Sequence, residues 1–208
     1  MGSTTLIDLC DFDSFRRDPR VRSLVQNKYK HDYVLAKRAA RQVTKDLQLL
    51  NDEYFEKNGR SAFTTVEGRP KPLDSLLRKL FRMCREKART CRITSKLLVE
   101  LYGEIHDLCG ARFSCPYLDE VETFVFKLIR PKLARKGYET DLQKEPSLRD
   151  KNYLDQGDEV GYRSYHFFIR VPTPVDIWGN KQPCLCTTII QNLRRLRRFL
   201  LADSRNPF

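Results

Sequence analysis

The sequence predicts an α+β (α/β) domain: a mixed β-sheet flanked by helices and preceded by an N-terminal helical segment. Apolar residues recur at steps of three and four in some stretches and alternate strictly in others. The two periods take turns along the chain, which is the pattern of a sheet covered by helices. With 208 residues the chain is long enough for one domain with a real core, and its 40% apolar and 11% aromatic content is that of a globular protein.

Residues 32 to 57 read as a long helix, because Ala36, Ala40, Val43, Leu47 and Leu50 form one stripe while Lys and Arg occupy the other faces. The stretch "NGRSAFTTVEGRP" breaks it. From Leu73 the helical period returns through Leu76, Leu77, Leu80 and Cys84, with Pro70 and Pro72 suited to the helix entrance. In "DLCGARFSC" the residues Cys109, Ala111, Phe113 and Cys115 alternate with Gly110, Arg112 and Ser114, as in a strand with one covered face. "YLDEVETFVFKLI" follows as a helix ending at Pro131, and the chain from there to Asp158 is expected to be irregular apart from a short strand at "GYETDL". "RSYHFFIRV" alternates again, placing Ser164, His166, Phe168 and Arg170 on one face and Tyr165, Phe167, Ile169 and Val171 on the other. "CLCTTII" is a further strand and "NLRRLRRFLLA" a basic helix, so the expected division is a helical segment at 1–57, a sheet domain at 58–190 and a basic helical tail at 191–208.

Charge is uneven. Of a formal +12, the stretch from Arg60 to Glu100 carries eleven Lys/Arg against four Asp/Glu, and a stripe of that kind attracts phosphate. Nucleotides, nucleic acid and an acidic membrane are the candidates, with a solvated helix face as the alternative that needs no ligand. No run of about 18 apolar residues is present, and "MGSTTLIDLCDFDSF" has acids where a secretory leader has basic residues, so neither a membrane span nor export is expected. Seven cysteines without a Cys-x-x-Cys pair point to buried thiols in a reducing compartment, the cytoplasm, rather than to a metal site or disulfides.

"GRPKPLDSLLRKL" sets Arg69, Lys71 and Ser75 around the first turn of a helix, where free backbone N–H groups already favour an anion. With Lys79 one turn on, the stretch fits Arg-x-Lys-x-x-x-Ser-x-x-x-Lys. "DLCGARF" fits Asp-x-x-Gly-x-Arg through Asp107, Gly110 and Arg112, and "GYRSYH" fits Gly-Tyr-Arg-Ser-x-His through Gly161, Tyr162, Arg163, Ser164 and His166. Three motifs in this order, spread from about Asn58 to about Val171, resemble the synthetase domain of the RelA/SpoT family, which makes guanosine tetra- and pentaphosphate. The resemblance implies a nucleotidyltransferase-like sheet and transfer of pyrophosphate from ATP to the 3′-hydroxyl of GDP or GTP with Mg²⁺. It also implies roles. Arg69, Lys71 and Lys79 would hold the ATP phosphates with Ser75 as donor to them, and Arg112 would join the ATP site. Asp107 would ligate Mg²⁺, a hard cation that prefers oxygen ligands. Tyr162 would stack on the acceptor guanine, His166 would contact the acceptor's sugar or phosphates, and Arg163 would stand beside them.

The resemblance departs in two places. The family's next strand carries a glutamate that helps activate the attacking hydroxyl, whereas "PCLCTTIIQNLRRL" has no carboxylate and none occurs between Asp176 and Asp203. The domain is therefore expected to be altered or incomplete at its C-terminal end, and its competence as an enzyme is open. Second, the acidic "DQGDEV" stands where the family tends to place Lys and Asn. The alternatives are a catalytically inactive nucleotide-binding pseudoenzyme and a basic RNA-binding module using the helix from Leu73 and the tail arginines 194, 195, 197 and 198. Nucleic acid is not expected as the primary partner, since the aromatic platforms of single-strand binders are missing.

Overall fold

The computed structural model describes residues 6–88, 92–116, 119–154, 163–172 and 184–192. The chain enters through a two-residue strand, β1 (Ile7–Asp8), and a short helix, α1 (Phe12–Arg17), whose N-terminus is capped by the Asp11 carboxylate accepting from the Ser14 N–H at 2.8 Å. A single turn, α2 (Pro19–Val21), and a π-helical stretch (Arg22–Gln26) lead into α3 (Asn27–Asn58), which ends on Gly59 in the left-handed conformation at φ 66°. The expected long helix is thus present and begins five residues before the expected start at residue 32.

The stretch expected to be only a break holds β2 (Val66–Pro70). It escaped the periodicity argument because it is an edge strand with a single half-buried apolar residue, Val66, and its proline sits at the strand end, where a missing N–H costs least. Then come α4 (Leu73–Lys87), β3 (Arg92–Ile93), α5 (Ser95–Gly103) and β4 (Cys109–Cys115). The helical run that follows differs from expectation. It consists of α6 (Val121–Thr123), a π-helical stretch (Phe124–Ile129) and α7 (Arg130–Arg135), passing through Pro131 rather than stopping there. Pro131 falls where π bonding gives way to α bonding, so its missing donor coincides with a turn already rearranged. The strand expected at "GYETDL" reduces to one bridge between Glu139 and Arg170, and the region expected to be irregular also contains a 3₁₀ turn (Pro146–Leu148) and β5 (Lys151–Asn152). β6 (Ser164–Val171) and β7 (Cys184–Asn192) complete the described chain. The expected basic helix beyond residue 192 lies outside the described residues.

The main sheet has the order β2-β4-β7-β6-β5. β4 and β7 are parallel, with Cys109 opposite Cys186, and every other pairing is antiparallel, so the sheet is mixed as the sequence predicts. One face is closed by α3 and by the helical run 121–135. Ala40, Val43, Leu47, Phe113, Val125, Ile129, Phe167 and Ile169 form a single buried cluster there. α3 lies so near β2 that a Cβ on Gly68 would stand 2.2 Å from Thr44 Oγ1 and 2.7 Å from the Ala40 carbonyl oxygen. Only glycine fits that crossing. Buried Asp46 braces the same layer, accepting from Tyr138 Oη at 2.6 Å and Lys136 Nζ at 2.7 Å. A second buried cluster joins β1, α1, α4 and α5 through Phe15, Val21, Leu76, Leu80, Leu98 and Leu101. No helix among the described residues is long and apolar enough to cross a membrane.

Among the described residues Cys84, Cys109, Cys115 and Cys186 are buried, and Cys109 Sγ lies 3.0 Å from Cys186 Sγ. No group of three or more His, Cys, Asp or Glu that could hold a metal occurs among the described residues.

Candidate nucleotide site

The other face of the sheet is not covered by helices near β2, β4 and β7, and the strand period sends the motif side chains to it. Arg69 on β2, Gly110 and Arg112 on β4, and Thr187 and Ile189 on β7 line a cavity of about 270 Å³ whose mouth is the first turn of α4, with Lys71, Ser75 and Asp107. Pro72 is the N-cap of α4 and offers no side-chain bond, so the first-turn N–H groups have no cap of their own. This turn, ringed by cations, is the helix entrance predicted from "GRPKPLDS".

Lys71 is held by its backbone. Its N–H donates to Leu108 O at 2.8 Å, and its carbonyl accepts from Tyr29 Oη at 2.7 Å. Its ammonium donates to Asp107 Oδ2 at 2.9 Å, while Lys79, two turns into α4, donates to Asp107 Oδ1 at 2.8 Å. The Asp107 carboxyl is pushed up by burial and pulled down further by the bonds and charges of Lys79 and Lys71, so its pKa ends below the usual 3.8. It is ionised at neutral pH and shared between two cations.

A second cavity, of about 470 Å³, adjoins the first and shares Asp107 and Thr187 with it. Lys79, His106, Lys151 and His166 line its walls. His166 sits in β6 opposite Ile189 of β7 and Lys151 of β5. Its Nε2 is 3.0 Å from Ser164 Oγ, and its ring meets Tyr153 edge-on at 5.2 Å between centroids. Burial, with Lys151 and Arg112 adding repulsion, holds its pKa below the ordinary 6.5, so the imidazole is neutral at pH 7.

The structure therefore brings Arg69, Lys71, Ser75, Lys79, Asp107, Arg112 and His166 to two joined cavities around one carboxylate. Arg112 and Arg69 have no ion-pair partner among the described residues. Arg163 is exposed just ahead of β6, and no described contact brings it to either cavity; Tyr162 and Gly161 lie outside the described residues. Arg170, on the His166 face, is taken up by Glu139 and Glu145 and belongs to the scaffold. Four contributors were not read from the sequence. Glu67 and Thr187 line the first cavity, Lys151 the second, and Tyr29 fixes Lys71. Period-2 alternation through Arg69 would have found Glu67, but Thr187 and Tyr29 give no sequence signal. The β7 residues facing the first cavity, Thr187 and Ile189, carry no charge, in line with the carboxylate missing from that stretch.

No family profile matches the chain. The GTP pyrophosphokinase YwaC of Bacillus subtilis is 26% identical over 148 residues, which is 71% of this chain and 61% of that protein, so the chain spans about three fifths of the relative's length. Among solved structures, the small alarmone synthetase 1 of Bacillus subtilis bound to its product pppGpp aligns with a TM-score of 0.59 at 22% identity, over 87% of this chain and 84% of that one. A GTP pyrophosphokinase family protein from Streptococcus pneumoniae aligns with a TM-score of 0.59 at 21% identity, over 86% and 75%. These structural likenesses carry the fold, and the sequence match to the Bacillus pyrophosphokinase is in line with the resemblance that the motifs carry. In its motifs, in the order of the elements that carry them and in its fold, the chain resembles the RelA/SpoT-type synthetase domain.

Proposed function

We propose that the chain transfers pyrophosphate from ATP to the 3′-hydroxyl of GDP or GTP, giving guanosine tetra- or pentaphosphate. One observation carries the reading: the cations of the α4 entrance and the neutral His166 line two cavities that meet at Asp107. ATP would lie along the first cavity with its phosphates at Lys71, Ser75 and Lys79, and the acceptor in the second beside His166 and Lys151. Such a reaction is driven by positioning and charge neutralisation, which lysines and a helix entrance supply.

Asp107 belongs to no cluster of three or more potential metal ligands among the described residues, which suits Mg²⁺ arriving with the triphosphate, since that ion keeps waters and phosphate oxygens as most of its ligands. Bound there, Mg²⁺ would neutralise charge developing on the phosphoryl oxygens. Asp107 would release Lys71 and Lys79 to the phosphates as it turns to the metal.

The uncharged cavity face of β7 favours a second reading, a domain that binds both nucleotides without turnover. Loss of a general base costs about 10² to 10⁴ in rate, so the two readings are separated by assay rather than by inspection. Incubating the full chain with ATP, Mg²⁺ and GDP or GTP, and resolving the nucleotides by ion exchange, should yield a tetra- or pentaphosphate that disappears in Asp107→Asn. Calorimetric binding of both nucleotides without product establishes the second reading. Binding of neither removes both.

A further inference from the structure

The wall between the two cavities contains a buried hydroxyl with no hydrogen-bond partner among the described residues. Thr187 is 8% exposed and lines both cavities, and its Oγ1 has no hydrogen-bond partner among the described residues. It stands on β7 between Gly110 of β4 and Phe168 of β6, neither of which offers a side-chain acceptor. An orphaned buried hydroxyl is a net cost to the folded chain, and one that opens onto a cavity is available to a ligand bound there.

Its surroundings say what kind of ligand atom that is. Arg69, Lys71 and Arg112 line one side of the wall against Glu67, and Lys79 and Lys151 the other against Glu104, while Asp107, the carboxylate that lines both cavities, is already engaged by two ammonium groups. The atom that comes to rest there is anionic, so the hydroxyl donates.

We propose that Thr187 is a substrate-contact residue whose hydroxyl donates a hydrogen bond to a phosphoryl oxygen held between the two cavities. The inference rests on the nucleotide reading of the site and adds to it a residue that none of the three motifs contains. The neighbouring Thr188 supplies an internal control. Its Oγ1 is also without a partner among the described residues, but it is fully buried and lines neither of these cavities.

The proposal makes the two threonines separable. Replacing either by the isosteric valine removes an unsatisfied hydroxyl, so in the absence of nucleotide both Thr187→Val and Thr188→Val should unfold at a higher urea concentration than the parent chain. Only Thr187→Val should lose affinity, by about ten- to a hundredfold for ATP with Mg²⁺ or for GDP, as befits one hydrogen bond to a charged group. Thr187→Ser, which keeps the hydroxyl, should bind within about threefold of the parent. Calorimetry on the full-length variants and urea titrations provide both readouts. Equal nucleotide affinity in the parent and Thr187→Val overturns this inference and leaves the function standing. A lower unfolding midpoint in Thr187→Val also overturns it, since the hydroxyl would then be satisfied within the fold. Failure of the parent chain to bind either nucleotide overturns the inference together with the reading beneath it.

Discussion

Asp107 holds the two lysines that the proposed reaction needs for phosphate, and this makes the unliganded site self-neutralised. One carboxylate with bonds of 2.9 and 2.8 Å to Lys71 and Lys79 keeps two half-buried ammonium groups compatible with each other. In the proposed reaction an incoming triphosphate would take over that role, so binding would be an exchange of partners rather than an addition of charge. Substituting Asp107 by Asn should therefore remove turnover while leaving the cations able to take phosphate. His166 follows the opposite logic. Burial and the cations Lys151 and Arg112 disfavour its charged form, so its NMR titration midpoint should lie below 6.5. In Lys151→Ala the midpoint should rise, and a midpoint at or above 6.5 in the parent chain would contradict the described geometry. Neither behaviour is visible in the motif, which names the residue types but not the charges that surround them.

At the scale of elements, β2 owes its place to one glycine. Gly68 lets the edge strand approach α3, and a methyl group there would collide with Thr44 Oγ1 and with the Ala40 carbonyl oxygen, which is backbone and cannot rotate away. Gly68→Ala should destabilise the chain by about 1–3 kcal/mol in urea unfolding, the usual cost of overpacking. It should also weaken ATP binding, because Arg69 is the next residue and Lys71 follows two further on. Unchanged stability would mean that α3 and β2 are not in contact. The neighbouring helix shows how local signals can mislead. Pro131 is a stop signal in isolation, yet the π-helical stretch Phe124–Ile129 before it lets the helix run on to Arg135. That rearrangement is set by packing of Phe124, Val125 and Ile129 on the sheet, and no window of sequence around the proline contains the sheet.

For the molecule as a whole, acid is the direction of weakness. Asp46 and Asp107 are both held below the usual carboxylate value of 3.8, against an upward push from burial that lysine and hydroxyl donors outweigh. A carboxyl with a lowered folded pKa stabilises the fold above its unfolded pKa, and that contribution is lost as pH falls through the folded value. His166 adds an earlier loss. It resists protonation in the fold but not in the unfolded chain, so its penalty begins as pH falls through 6.5. With a formal charge of +12 at neutrality, every proton taken up adds to self-repulsion. The urea midpoint should be highest near neutral pH, decline gently below 6.5 and drop steeply below about 4. Added salt should recover part of the steep drop. A midpoint that stays flat to pH 3 would show that these pairs do not hold the fold.

The sequence by itself determined which stretches are helix or strand where a stripe or an alternation is strong, as in α3, α4, β4 and β6, and which residue types the three motifs bring. Those properties are local: a face repeats within a turn or two, and a motif is read from its own spacing. Only the tertiary structure decided that β7 lies between β4 and β6, that Lys71 and Lys79 meet Asp107 from 36 and 28 residues away, and that Thr187 faces the junction of two cavities. The physical reason is that strand order, burial and the strength of a charge pair are fixed by neighbours distant along the chain, whose free energy exists only once the sheet has closed.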